Sequence, residues 1–263
     1  MPRFAANLTI GFTEYPVLER FERAARIGFT HVEMLFPFHY DVDEIERELR
    51  RNQLELVLFD TDPGDWNAGE RGYLCHPARM DRFQESIREA IDLAKRLGTR
   101  RLNALAGLVP EGVTFEEAKQ VAIENLRRAA PLAERADVIL MSEGLNRFDV
   151  PGYFLTSSKL GFELVDAVGS PNVRYQYDAY HMQLMEGNLI NTLRANMAKI
   201  GHIQIADVPG RHQPGTGEIN FPNLFRAIDE AGYSGYIGCE YTPTDGTEAS
   251  YDAWLPREQR GNR

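Results

Sequence analysis

Four apolar runs in the second half of the chain each finish on an oxygen-bearing side chain. Val138-Ile139-Leu140-Met141 leads into Ser142-Glu143, and Val173-Arg174-Tyr175-Gln176-Tyr177 into Asp178, with His181 three residues on. His202-Ile203-Gln204-Ile205-Ala206 puts His202 and Gln204 on one face, and Tyr236-Ile237-Gly238-Cys239 ends in Glu240. If these runs are neighbouring parallel strands, their carboxyl ends converge, and Glu143, Asp178, Gln204 and Glu240 meet around one point. Three carboxylates there repel strongly unless a cation holds them. Oxygen donors of this kind suit a hard divalent ion, Mg²⁺ or Mn²⁺. His202 or His181 would add a nitrogen ligand or hydrogen-bond a substrate. Blander readings exist for each residue alone: Asp178 as the cap of a helix starting near Tyr180, His202 as a satisfied core histidine.

Moving a proton between adjacent carbons of a hydroxy-carbonyl compound needs a base, an acid and something to hold the developing enediolate charge. Glu143 and Glu240, approaching a chelated substrate from different sides, would supply the acid/base pair, and the cation would grip the substrate oxygens. No nucleophile competes: there is no Gly-x-Ser-x-Gly, and Cys75 and Cys239 have no partner pattern. Cys239 precedes Glu240 on its run and is expected to pack toward the helices.

The elements that must position these groups read as a strand–helix alternation. Candidate strands are 3–10, 31–36, 54–59, 101–106, 138–143, 173–178, 202–206 and 236–241. Between them lie amphipathic stretches such as 80–97, where Phe83, Ile87, Ile91, Ala94 and Leu97 recur at helical steps, and likewise 115–135 and 221–231. Gly28, Gly98 and Gly232 follow such stretches, as left-handed helix ends require. Eight strands and about seven helices, alternating, imply parallel strands with right-handed crossovers. Closure into one (β/α)8 TIM barrel over residues 1–263 is the α/β architecture this predicts; about 250 residues is its usual size. An open doubly wound sheet would want a glycine-rich phosphate loop, and Asn7–Gly11 is not one. Two connections, 60–79 and 209–220, are longer than a barrel requires, and both fall on the face where barrels carry their chemistry.

Composition narrows the partners. A formal charge of −10, from 29 basic against 39 acidic residues, opposes nucleic-acid binding. No apolar run approaches a membrane span, and the amino terminus lacks an apolar signal region. The two cysteines fit reduced thiols in a cytoplasmic protein. A small-molecule substrate is expected, and a homo-oligomer is left open.

Several segments carry a family resemblance. They are Asn7, Pro63-Gly64-Asp65-Trp66 with Gly69-Glu70-Arg71-Gly72, Tyr177-Asp178-Ala179-Tyr180-His181-Met182-Gln183 and Gly201-His202-Ile203-Gln204-Ile205-Ala206-Asp207. Pro214-Gly215-Thr216-Gly217-Glu218-Ile219 and Gly238-Cys239-Glu240-Tyr241 complete them. Together they resemble the hydroxypyruvate isomerase family of the xylose-isomerase-like barrels, over residues 3 to about 245. The resemblance implies interconversion of hydroxypyruvate and tartronate semialdehyde, or of a related 2-oxo-tetronate. It implies proton transfer by Glu143 and Glu240, and metal ligation by Glu143, Asp178, Gln204 and Glu240. His181 and Arg211 would contact substrate oxygens, as would Trp66 and Glu70 from the long loop after the third strand, and His202 beside the metal. The sequence departs from the family pattern at Ser142-Glu143-Gly144, where Ile-Glu-Pro is expected, at Phe59-Asp60-Thr61-Asp62, and at His212-Gln213 after Arg211. These departures bear on substrate more than on reaction class. A ketose 3-epimerase and a non-catalytic barrel binding metal or sugar acid are the alternatives.

Overall fold

A computed structural model describes residues 2–261; positions 1, 262 and 263, which the expected barrel included, lie outside them. Its strands are β1 (Arg3–Asn7), β2 (His31–Glu33), β3 (Glu55–Asp60), β4 (Arg101–Asn103), β5 (Ile139–Glu143), β6 (Val173–Asp178), β7 (Ile200–Ile205) and β8 (Tyr236–Cys239). They close in sequence order into a parallel barrel, β8 pairing back onto β1 through Arg3–Tyr236 and Phe4–Ile237. The helices are α1 (Val17–Arg26), α2 (Val42–Arg51), α3 (Met80–Leu97), α4 (Phe115–Arg135), α5 (Ser158–Val168), α6 (Ala179–Met185), α7 (Leu189–Asn196), α8 (Phe221–Glu230) and α9 (Thr247–Trp254).

The eight strands expected from the sequence are all present, and several stop short of their predicted ends. In β1 the cause is local. Asn7 Oδ1 accepts the backbone N–H of Thr9 (2.9 Å) and Ile10 (3.0 Å), a turn that ends pairing three residues early. α3 and α4 span the expected residues, because their apolar periodicity faces the barrel uninterrupted. The α4 start adds a reciprocal cap between Thr114 and Glu117. One crossover holds two helices where one was expected: Gly187 and Asn188 take left-handed φ angles of 65° and 51°, breaking the segment between α6 and α7.

Most apolar side chains lie between the barrel wall and the helices. Within the wall, Ala5, Val57, Leu58 and Met141 form a small separate cluster, with Ile139 and Tyr236 against it. Polar side chains at the carboxyl ends of the strands occupy the remainder.

The unexpected Gly144 has a packing reason. A Cβ there would lie 2.4 Å from the Tyr175 hydroxyl oxygen, and one at Gly161 would lie 2.3 Å from the Tyr175 ring. The two glycines thus make room for a buried tyrosine behind β5 and β6, where the family's proline would collide. Gly144→Ala is expected to cost about 1–3 kcal/mol, as overpacking does, and Tyr175→Phe should recover part of it. Equilibrium unfolding of the two single variants and the double variant measures that coupling; additive effects would refute it.

Candidate active site

The mouth of the barrel is built from strand ends. Glu143 pairs in register with Gln176, and two residues further along β6 and β7 Asp178 pairs with Gln204, so four polar side chains from three adjacent strands come together at this end. Glu143 Oε2 accepts from Asn103 Nδ2 and from Gln176 Nε2, both at 3.0 Å. Its other oxygen, Oε1, is buried without a hydrogen-bond partner. Gln176 Nε2 also donates to Gln204 Oε1 at 2.7 Å, and Gln204 Nε2 to Glu33 Oε1 at 3.0 Å. Glu33 further accepts from Asn7 Nδ2 (3.0 Å) and lies 2.9 Å from His202 Nε2. At the other end, Asn103 Nδ2 reaches Asp60 Oδ1 at 3.1 Å. One chain of hydrogen bonds therefore links seven strands and leaves Glu143 Oε1 outside it.

Asp178 divides its two oxygens. Oδ1 accepts the Tyr180 N–H at 2.8 Å and caps α6, so the blander reading of this residue holds as far as it goes. Oδ2 is buried with no hydrogen bond and lies 3.5 Å from His181 Nε2. Atoms of Glu143, Asp178 and His181 lie within 4.8 Å of one another. The Arg211 guanidinium lies 3.0 Å from Glu240 Oε1 and 3.6 Å from Asp178 Oδ2. Arg211 hangs from a loop with φ of 56°. Asp207, fully buried, holds that loop by accepting the N–H groups of Val208, Gly215, Gly217 and Ile219 at 2.8–3.1 Å.

Burial raises the pKa of Asp60, Glu143, Asp178 and Glu240 above the ordinary carboxylate range, and their mutual repulsion adds to it. Arg211 offsets part of this for Glu143, Asp178 and Glu240. Burial, with Arg211 nearby, also holds His181 well below the usual histidine value. Besides Asp207, whose oxygens are taken by its loop, five buried carboxylates (Glu33, Asp60, Glu143, Asp178, Glu240) share this end of the barrel, and the Arg211 guanidinium pairs with two of them. Two of their oxygens, Glu143 Oε1 and Asp178 Oδ2, lack hydrogen-bond donors. That charge excess and those orphaned acceptors fit a hard divalent cation.

The other residues singled out in the sequence take different places. Gln204 has both amide ends engaged, by Gln176 and Glu33, and only the second lone pair of its oxygen remains. His202 was expected at the substrate. It is wholly buried and faces Glu33, so it supports the layer beneath. Trp66 is 43% exposed and carries the Arg71 guanidinium on its ring at 3.7 Å. Glu70 is spent inside its own loop, accepting the Asp65 N–H at 2.7 Å and pairing with Arg79 at 3.2 Å. Cys239 is buried, as expected, and burial pushes its thiol pKa up.

Glu33, Asn103 and Gln176 join the site without being singled out in the sequence, while Asp60 is the extra acid of the Phe59-Asp60-Thr61-Asp62 departure. Glu33 and Asn103 close β2 and β4 three residues before the ends the apolar runs predict, so the strand-end rule passes over them.

Comparison with known proteins places this architecture. A family model described as xylose isomerase-like TIM barrel matches residues 21–257. The hydroxypyruvate isomerase of Escherichia coli (strain K12) is 47% identical over 249 residues, covering 95% of this chain and 96% of that protein. A 2-oxo-tetronate isomerase from Cupriavidus necator is 43% identical over 255 residues, covering 97% and 98%. A crystal structure described as AP endonuclease, family 2, from Brucella melitensis superimposes with a TM-score of 0.94 at 42% identity, covering 97% of this chain and 99% of that one. The fold and its match define a xylose isomerase-like barrel. Within that class, the chain belongs to the hydroxypyruvate isomerase family, and it is an isomerase.

Proposed function

We propose that this enzyme interconverts a small 2-oxo acid and its hydroxy-aldehyde isomer, hydroxypyruvate with tartronate semialdehyde or a 2-oxo-tetronate counterpart, through a cis-enediolate. The observation that carries the reading is the pair of buried carboxylates at the strand ends, Glu143 close to Asp178 and His181, and Glu240 against the Arg211 guanidinium that also reaches Asp178. Glu143, Asp178 and Glu240, with the remaining lone pair of Gln204, would hold a Mg²⁺ or Mn²⁺ ion. When bound, such an ion polarises the substrate carbonyl and stabilises negative charge on its oxygens.

The residues divide the remaining work. Arg211 Nη2 is taken by Glu240 and Asp178, and Nε reaches the Glu240 carbonyl at 3.4 Å. Its Nη1 has no acceptor among the described residues, so it can meet a substrate carboxylate. Burial pushes the Glu240 pKa up to about 8, but contact with that guanidinium offsets part of the rise, so it is the more readily ionised of the two glutamates and is suited to take the proton from carbon. Glu143, whose Oε2 is held by amide N–H groups, makes no such cation contact among the described residues and is suited to return a proton at the neighbouring carbon. The hydroxyl proton passes between the two cis oxygens of the enediolate, and in the reverse direction the two glutamates exchange roles.

The name of the Brucella melitensis structure points to a nucleic-acid substrate. A charge of −10 and five carboxylates around one guanidinium oppose a polyanion at this mouth. The test is a panel of hydroxypyruvate, 2-oxo-tetronates and free ketoses in deuterated water, read by NMR with and without a chelator. Interconversion of the 2-oxo acids with deuterium uptake is expected, lost on chelation and restored by Mg²⁺ or Mn²⁺. Turnover that survives exhaustive chelation would remove the metal from the mechanism, and turnover of ketoses alone would make the enzyme a 3-epimerase.

A further inference from the structure

If the barrel isomerises a hydroxy-carbonyl acid, His181 stands beside the reacting carbons, and its role depends on which ring nitrogen carries the proton. Its neighbours decide this. Asn146, fully buried three residues beyond Glu143, accepts through Oδ1 the N–H groups of Phe148 (3.0 Å) and Asp149 (2.9 Å). That turn fixes which way the amide points. Its Nδ2 therefore faces the other side, donating to Asp149 Oδ2 at 2.8 Å and lying 2.8 Å from His181 Nδ1. The backbone N–H of Asn146 donates to the same Nδ1 at 3.1 Å. The Tyr180 hydroxyl donates to Asp149 Oδ2 at 3.0 Å and steadies that carboxylate.

Two N–H groups of one residue thus converge on Nδ1, which must present its lone pair; a neutral imidazole then carries its proton on Nε2. Nε2 is the nitrogen 3.5 Å from Asp178 Oδ2, on the side of the carboxylate cluster. We propose that Asn146, braced by Asp149 and Tyr180, is the positioning residue that locks His181 as an Nε2–H donor to a substrate oxygen. His181 then neither ligates the cation nor accepts a proton, although its nitrogen lies among the acidic atoms. A site built to donate here selects substrates that place a carbonyl or carboxylate oxygen at that point, and discriminates against analogues lacking it.

The inference rests on the proposed function for its consequence, while its test reads the ring itself. In protein labelled with ¹⁵N-histidine, long-range ¹H–¹⁵N correlation distinguishes the tautomers, and His181→Gln assigns the signal among the six histidines. The expected spectrum has a protonated Nε2 and a bare Nδ1. Exchanging the polar groups (Asn146→Asp together with Asp149→Asn) preserves the turn acceptor while presenting a carboxylate to Nδ1. The exchange leaves only the backbone N–H of residue 146 donating to Nδ1 and sets a carboxylate against it, so the Nδ1–H form should gain population and kcat/KM should fall about 10–100-fold, as loss of an orienting partner does, with Mn²⁺ binding unchanged. Asn146→Ser, which keeps a hydroxyl donor, should recover much of the rate. A wild-type spectrum showing Nδ1–H overturns the proposal even if the exchanged variant fails to fold, and so does loss of Mn²⁺ binding in His181→Gln. Failure to turn over 2-oxo acids would instead strike the proposed function and leave the spectrum as predicted.

Discussion

Glu143→Gln and Glu240→Gln should each lower kcat by roughly 10²–10⁴-fold, the range over which positioned acids and bases act, without lowering the melting temperature. The geometry explains both halves. A glutamine at 143 can turn its carbonyl oxygen toward the Asn103 and Gln176 donors that now meet Oε2, leaving its amide where Oε1 has no partner. A glutamine at 240 can still accept from Arg211 through its oxygen. Each substitution also removes one ionisable carboxyl from a crowd whose burial, together with mutual repulsion, already raises their pKa values. Sites arranged for chemistry are commonly strained in this way, and relieving the strain stabilises the fold. If each glutamate acts only in the proton-transfer step, kcat and kcat/KM fall together. Deuterium exchange at the substrate carbon stops with them. Wild-type turnover by either folded variant would sink the assignment.

Much of this arrangement is legible in the sequence because the fold repeats one simple signal. Short apolar runs alternate with 3.6-period stretches, and the polar residue closing each run marks the mouth. The signal fails where local pattern gives way to distance. β2 is only His31–Glu33, polar at both ends, and a three-residue strand has too little alternation to be weighed. Alternation puts His202 and Gln204 on one face of their strand, but the partner of His202, Glu33, is 169 positions away, and nothing near either residue announces the pair. Arg211 stands out in the sequence through resemblance and not through periodicity. Its position depends on a loop gathered by Asp207, a carboxylate whose four backbone bonds exist only after the loop has closed. Gly144 reads as an anomaly until the Tyr175 hydroxyl is placed beside it.

Glu33 supplies the largest stability effect expected, and its two substitutions should differ sharply. Its carboxylate accepts from Asn7 Nδ2 and Gln204 Nε2 through one oxygen and meets His202 Nε2 with the other. Gly238 opposite leaves space for it, since a Cβ there would lie 2.2 Å from Glu33 Oε2. Glu33→Ala leaves three buried nitrogens without a partner and opens a cavity, at a cost of about 1–3 kcal/mol for each unsatisfied group and more for the void. A loss of roughly 4 kcal/mol or more follows, large beside the 5–15 kcal/mol that stabilises most proteins. Glu33→Gln keeps the shape. Its oxygen can serve Asn7 and Gln204, and its amide can face His202 Nε2 if that ring shifts its proton to Nδ1, which has no hydrogen-bond partner to lose. That variant should therefore lose about 1 kcal/mol, near the value of one hydrogen bond. It should keep most of its activity, because the Gln204–Gln176–Glu143 chain stays anchored. Urea unfolding of the two variants decides the matter. Equal losses for Ala and Gln would show that the charge of Glu33, and not its place in the hydrogen-bond chain, is what holds the layer beneath the catalytic carboxylates.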